Sequence, residues 1–394
     1  MAIYQGKVLD GYGKLAGWGI EIGEDGALKR VIPVGEGTEP QGYVIPGLID
    51  IHCHGGGGAS FPDSWKLEDV QTAIDAHRCK GTTAMLASLV SMVDPLPQIK
   101  LLAQACEQGE LIGIHMEGPY VSPHKLGAQN PAAQRCASVD ELRTWLEAGK
   151  GYIKTMTLAP ELDHAQEAAE LLLDYGALPS WGHTSATSMQ TRERLTTTLE
   201  YAAKIKHEGV AQTATHLFNA MPSLHHREPG PIREFVQAAR RDEIVVEIIA
   251  DGVHVNLDLV GDVVNYVLDG SGDDLALVYV SDSMAAAGLE DGAYELGGQP
   301  VTVKDGVARL TGGDNNIAGG TSRLVEQIQR TARAGVVPIE KSVRACVAAP
   351  ARVLGLSNAD AGVSLTFEPG EKPNAIVLDS NLDVQAVIRE GGVL

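Results

Sequence analysis

The feature of this 394-residue chain that most restricts its fold is an alternation. Short apolar, β-branched runs are each followed by a stretch with helical period. The runs at 43–51 (YVIPGLIDI), 82–90 (TTAMLASLV), 111–116 (LIGIHM), 152–158 (YIKTMTL), 178–182 (LPSWG), 211–215 (AQTAT), 244–250 (IVVEIIA) and 275–281 (LALVYVS) read as strands. Helical patterns lie between them at 68–79, 138–149, 163–175, 187–208, 231–241 and 257–269. Eight strand–helix units over about 300 residues predict an α/β fold, the closed (β/α)8 TIM barrel. A doubly wound open sheet is the competing arrangement. It calls for a nucleotide loop after the first strand, and GGGG at 55–58 is not the G-x-G-x-x-G pattern.

The two ends read differently from the middle. Residues 1–45 and 357–394 contain short strands broken by Gly and Asp turns. They predict a small β-sandwich domain built from both termini, with 46–356 forming the barrel domain. Hydrophobic residues at 44 % and charged ones at 21 % are ordinary for a globular protein. The formal charge of -20 argues against nucleic-acid and anionic-membrane partners, which need clustered Lys and Arg. It also means that an anionic substrate needs a locally positive pocket. The N-terminus lacks a signal-peptide pattern, and no apolar run is long enough to span a membrane. Five cysteines, scattered and without a CxxC pair, predict a reduced, cytoplasmic protein without disulfides.

In such a barrel, chemistry collects where the strands end. His52 and His54 follow the first strand in IDIHCHGGGG, and Glu117 ends the third. His183 follows the fifth, His216 the sixth and His254 the seventh, and Asp282 ends the eighth. Any one of these has a bland reading as a hydrogen-bonded loop residue or a cap. Seven at corresponding strand ends do not. Histidine and carboxylate suit Zn²⁺ and similar divalent ions. His115, two residues before Glu117, is expected one layer deeper, and Cys53 is expected to be a buried filler facing away from the histidines.

Together GLIDIHCHG, IHMEGPY, GHTSA, THLFNAMPSLHHREPG, DGVHV and SDSM resemble the N-acetylglucosamine-6-phosphate deacetylase family of the amidohydrolase superfamily, over essentially the whole chain. The resemblance implies metal-dependent hydrolysis of a phosphorylated N-acetyl amino sugar, in amino-sugar catabolism or cell-wall recycling. It implies one or two divalent ions per subunit, zinc first, with Fe²⁺, Mn²⁺ and Co²⁺ as alternatives. Glu117, His183 and His216 match the ligands of the main ion. His52 and His54 match those of a second, with Glu117 able to bridge. Asp282 matches the catalytic aspartate. Asn219, Ala220 and Arg227 match the phosphate grip, with His226 beside the arginine, His254 on the sugar hydroxyls, and Ala128 and Ile317 against the acetyl or sugar group. In the family the arginine comes from the neighbouring subunit, which implies a homodimer.

Two positions depart from the family pattern. Gln129 in GAQNP stands where relatives carry a histidine that polarises the acetyl carbonyl, and Gly320 where they often carry Ser. Gln donates a neutral hydrogen bond but cannot become a cation. Competing readings are the galactosamine epimer as substrate, a ring-opening amidohydrolase, and a non-catalytic scaffold on the same fold. The scaffold reading is disfavoured by the intact set of histidines and carboxylates.

Overall fold

The computed structural model describes residues 1–272, 274–312 and 316–394. Eight parallel strands form one sheet in sequence order: β1 (Leu48–Asp50), β2 (Thr82–Leu89), β3 (Gly113–Glu117), β4 (Ile153–Leu158), β5 (Leu178–Trp181), β6 (Thr213–Ala214), β7 (Val245–Ile248) and β8 (Leu277–Tyr279). The barrel closes just beyond the strand ends, where Asp282 N donates to His52 O at 2.8 Å and His54 N to Ser283 O at 2.7 Å. The predicted fold is therefore borne out.

Strand alternation sorts the core into two layers. Leu86, Val245 and Val278 share one buried cluster with Ala349 and Val353, so helix Ala348–Leu354 packs against the inner layer. Their strand neighbours Met85, Val246 and Leu277 share another with Trp145, Leu172 and Phe235 of the surrounding helices. The predicted helices appear within three residues of their expected ends; among the described residues four more helices appear, Leu96–Glu107 between β2 and β3 and, after β8, Leu324–Arg333, Ile339–Cys346 and Ala348–Leu354.

The run 43–51 departs from its prediction as one barrel strand. Tyr43–Pro46 pairs with Ala2–Leu9 and Ala375–Leu378 in a seven-stranded mixed sheet from both chain ends, and only Leu48–Asp50 belongs to the barrel. The break is Gly47, where a Cβ would lie 2.0 Å from Thr83 Oγ1. A second addition is a three-stranded antiparallel sheet, Gly292–Leu296, Gln299–Lys304 and Val307–Leu310, inserted after β8. Among the described residues, no helix is long and apolar enough to cross a membrane.

Helix Leu324–Arg333 ties the last two strands together. Gln327, fully buried, accepts from Ala250 N and donates to Val280 O, both at 2.9 Å. Gln327→Leu strands two buried backbone groups, each worth about 1–3 kcal/mol when unpaired. Urea unfolding is expected to register a loss of that size; an unchanged midpoint would show that Gln327 does not hold the strand ends.

Candidate metal centre and active site

The site grows out of the strand ends. β1 stops at Asp50, and the chain bends at Ile51 before His52. The bend and the closing hydrogen bonds turn His52 and His54 toward Asp282. His183, His216 and Asp282 adopt φ of 47°, 25° and 46°. Side chains other than glycine rarely occupy this region, at a cost of about 1–3 kcal/mol each. Each strained residue is held: Ser122 N donates to His183 O, His216 N to Glu247 Oε2, and Asp282 N to His52 O.

Four imidazoles converge. His183 Nε2 and His216 Nε2 lie 3.1 Å apart, and each is 2.9 Å from Glu117 Oε1. His52 Nε2 and His54 Nε2 lie 3.2 Å apart, and His54 Nε2 is also 3.2 Å from Glu117 Oε2 and from Asp282 Oδ1. The opposite nitrogens of three rings face pure acceptors. His183 Nδ1 donates to Lys125 O, His54 Nδ1 to Ser88 O and His52 Nδ1 to Glu247 Oε2. A carbonyl or carboxylate partner fixes the proton on Nδ1 and leaves the Nε2 lone pair for a cation. Glu117–His183–His216 and His52–His54–Asp282 thus make two wholly buried donor groups. Nitrogen and carboxylate donors around crowded lone pairs fit divalent ions of the zinc type.

The electrostatics agree. Burial opposes the Glu117 anion, but His183, His216 and His54 hold it well below the usual carboxylate range. Burial likewise opposes ionisation of Asp282, yet His52 and His54 hold it down to about 2. Burial disfavours a charged His54, and hydrogen bonds to Asp282 and Glu117 outweigh it, pushing His54 up to about 10. The cluster attracts positive charge strongly.

A cavity of about 550 Å³ opens above these groups. Asn219, Ala220, His254, Ala128, Gln129 and Ile317, all expected at the substrate, line it beside His54, Glu117, His183, His216 and Asp282. The inserted sheet and Ile317, bridged to its Arg309, wall one side: Leu296 and Ile317 line the cavity, while Gln299 Nε2 donates to Ala128 O. His226 and Arg227 are elsewhere, on the exposed Pro222–Pro229 loop. Among the described lining residues, Lys125 is the single lysine and arginine is absent.

His115 lies beneath, its ring 4.3 Å from that of His52 and its nitrogens on Ser88 Oγ and Thr157 Oγ1. Burial pulls it well below the usual histidine range, so it is a neutral core residue. Cys53 faces outward to His77, whose Nε2 already donates to Gly55 O at 2.9 Å. Burial pushes the Cys53 thiol up and His77 down to about 4, so that pair packs as neutral groups.

Three features escaped the sequence reading. Glu247 sits in the middle of apolar β7, and a carboxylate inside a buried strand was a legible signal that it must have a partner. Gln129 is clamped at both ends, its Oε1 accepting from Ser91 N and its Nε2 donating to Glu117 Oε2, both at 2.6 Å. Lys125 lines the cavity and contributes its carbonyl to His183, while its ammonium donates to Met221 O at 3.1 Å; no spacing signal marked it.

A closed barrel with paired His and carboxylate clusters at its strand ends defines a metal-dependent hydrolase. The chain belongs to the amidohydrolase family, whose profile matches residues 43–394. It is 38% identical over 293 residues to the N-acetylglucosamine-6-phosphate deacetylase of Bacillus subtilis (strain 168), covering 72% of this chain and 68% of that one. It is 30% identical to the N-acetylgalactosamine-6-phosphate deacetylase of Escherichia coli O157:H7, covering 93% of this chain and 92% of that one. The crystal structure of N-acetyl-D-glucosamine-6-phosphate deacetylase from Mycobacterium smegmatis superposes with a TM-score of 0.85 at 32% identity, covering 100% of each chain.

If His52 and His54 hold an ion of their own, replacing both with Asn lowers bound zinc from about two to about one per chain. Elemental analysis of zinc-saturated protein decides this. Equal metal content in the two proteins would leave the pair as supports of the barrel mouth.

Proposed function

We propose that the chain hydrolyses the acetamido group of N-acetyl-D-glucosamine 6-phosphate, releasing D-glucosamine 6-phosphate and acetate. The observation that carries the reading is the convergence of four imidazole Nε2 atoms with Glu117 and Asp282, of which His54, His183, His216, Glu117 and Asp282 line one cavity. Glu117, His183 and His216 would hold the main ion, zinc by preference, and His52 and His54 a second; Fe²⁺, Mn²⁺ and Co²⁺ suit the same donors. Such ions, when bound, make hydroxide available near neutral pH and withdraw charge from a carbonyl.

The chain's own groups do the rest. Asp282, at the cavity floor, accepts a proton from the attacking water and passes it to the departing amine. His254, braced by Asp251 Oδ2 at 2.8 Å, presents its other nitrogen to a sugar hydroxyl. Asn219 and the Ala220 backbone sit where the phosphate would reach. Gln129 has one N–H beyond its clamp to offer the acetyl oxygen, and no positive charge. A second ion therefore matters more here than in relatives with a histidine at that place.

Charge also bears on assembly. A phosphate entering a cavity that holds two carboxylates needs more cations than Lys125. Arg227 is exposed on its loop, and guanidinium matches phosphate oxygens in pairs. We assign it to the neighbouring active site of a homodimer. Five cysteines, all free, fit a reducing cytoplasm. The relative that acts on the galactosamine epimer supports a second reading, with the C4-epimeric sugar as substrate. Comparing turnover of the two sugar phosphates separates them.

Asp282→Asn is expected to keep fold and metal content while kcat falls about 10²- to 10⁴-fold. Near-normal turnover by the metal-loaded variant overturns the assignment. For the dimer, mixing Arg227→Ala chains with Asp282→Asn chains is expected to restore activity, since one hybrid site carries both intact residues. No recovery after demonstrated subunit exchange would place Arg227 in its own subunit's site.

A further inference from the structure

Glu247 is 1% exposed within β7, flanked by Val246 and Ile248. Burying a carboxylate costs several kcal/mol unless it is paired and hydrogen-bonded, so its partners indicate its purpose. Among the described residues its ion-pair partner is His52, at 3.0 Å from His52 Nδ1 to Glu247 Oε2. The same oxygen accepts from the backbone N of His216 at 3.1 Å. The two partners belong to different donor groups, His52 to the His52–His54–Asp282 set and His216 to the Glu117–His183–His216 set. One carboxylate oxygen thus anchors a member of each.

We propose that Glu247 is a positioning residue of the metal centre, acting through His52. The proposal rests on the reading of His52 as a ligand of the second ion. By accepting a hydrogen bond from Nδ1–H, Glu247 sets the imidazole tautomer and turns the Nε2 lone pair toward His54 and Asp282. Its charge makes His52 a better donor than a carbonyl acceptor would. The bond from His216 N keeps the carboxylate from rotating away, and that bond also restrains a residue at φ 25°. His52 has no other acceptor at Nδ1 among the described residues, whereas His54 and His183 rely on backbone carbonyls. A side chain does this work only at His52, so substitution reaches it there alone.

The test uses Glu247→Gln, which keeps the shape and removes the charge. Zinc dissociation constants are measured by competition with a chromophoric chelator, in the wild type and in the His52→Asn/His54→Asn background. The weaker ion is expected to lose roughly 10–100-fold in affinity. In the background lacking both histidines, Glu247→Gln is expected to leave the remaining ion's affinity unchanged. Proton NMR of the zinc-loaded wild type should show one imidazole N–H displaced far downfield by the charged acceptor, and that signal should move upfield in the variant. Equal weakening of both ions, or the same loss in the background lacking the histidines, overturns the proposal in favour of a purely structural role. So does a lower melting temperature of the zinc-free protein with zinc affinity intact. If the wild type binds a single zinc, the two-ion reading fails on its own. The proposal then stands only if that single ion is lost in His52→Asn/His54→Asn and Glu247→Gln weakens it about tenfold while moving the downfield signal upfield; an ion that survives loss of both histidines overturns it.

Discussion

The site depends on how the barrel closes. Its first and last strands are short, and they are joined beyond their ends by His54 N to Ser283 O and Asp282 N to His52 O. These bonds involve the residues of the site themselves. Closure therefore sets the distance from His52 and His54 to Asp282, and the donor set cannot loosen without opening the barrel. Around the ring, the same geometry brings Glu117, His183 and His216 in from β3, β5 and β6.

A second layer turns proximity into a binding site. The acceptors behind His52, His54 and His183 hold protons on the outer nitrogens, so lone pairs crowd the interior. Without a cation, the carboxylates draw protons onto that cluster, as the raised His54 shows. A divalent ion satisfies the same attraction and must displace those protons, so metal affinity and pH are linked here. Gln129 belongs to this supporting layer as much as to the cavity wall, because its amide fixes Glu117 Oε2.

The surroundings are acidic while the ligand of the curated relatives is a phosphate ester. A cavity with Glu117, Asp282 and one lysine is poorly matched to a phosphate by itself. Arg227 stands exposed on this surface beside the rings of His225 and His226, which lie 4.3 Å apart. The inserted sheet after β8 narrows the other side of the mouth through Leu296, together with Ile317, which bridges to Arg309 of the sheet.

The sequence by itself determined the strand–helix alternation and hence the barrel, because side-chain period and run length are local properties. It also determined the strand-end positions of His52, His54, Glu117, His183, His216, His254 and Asp282, since those follow from counting along each unit. It left open where Tyr43–Pro46 belongs, as an apolar run does not name its partner strand, and Gly47, where the run divides, lies too close to Thr83 for a side chain. Only the tertiary structure decided that Glu247 stands behind His52, that Lys125 O orients His183, and that Gln129 grips Glu117. Each of these contacts joins residues far apart in the chain, from 12 positions for Gln129 to 195 for Glu247. Directional hydrogen bonds between such residues depend on barrel closure, which no local pattern encodes.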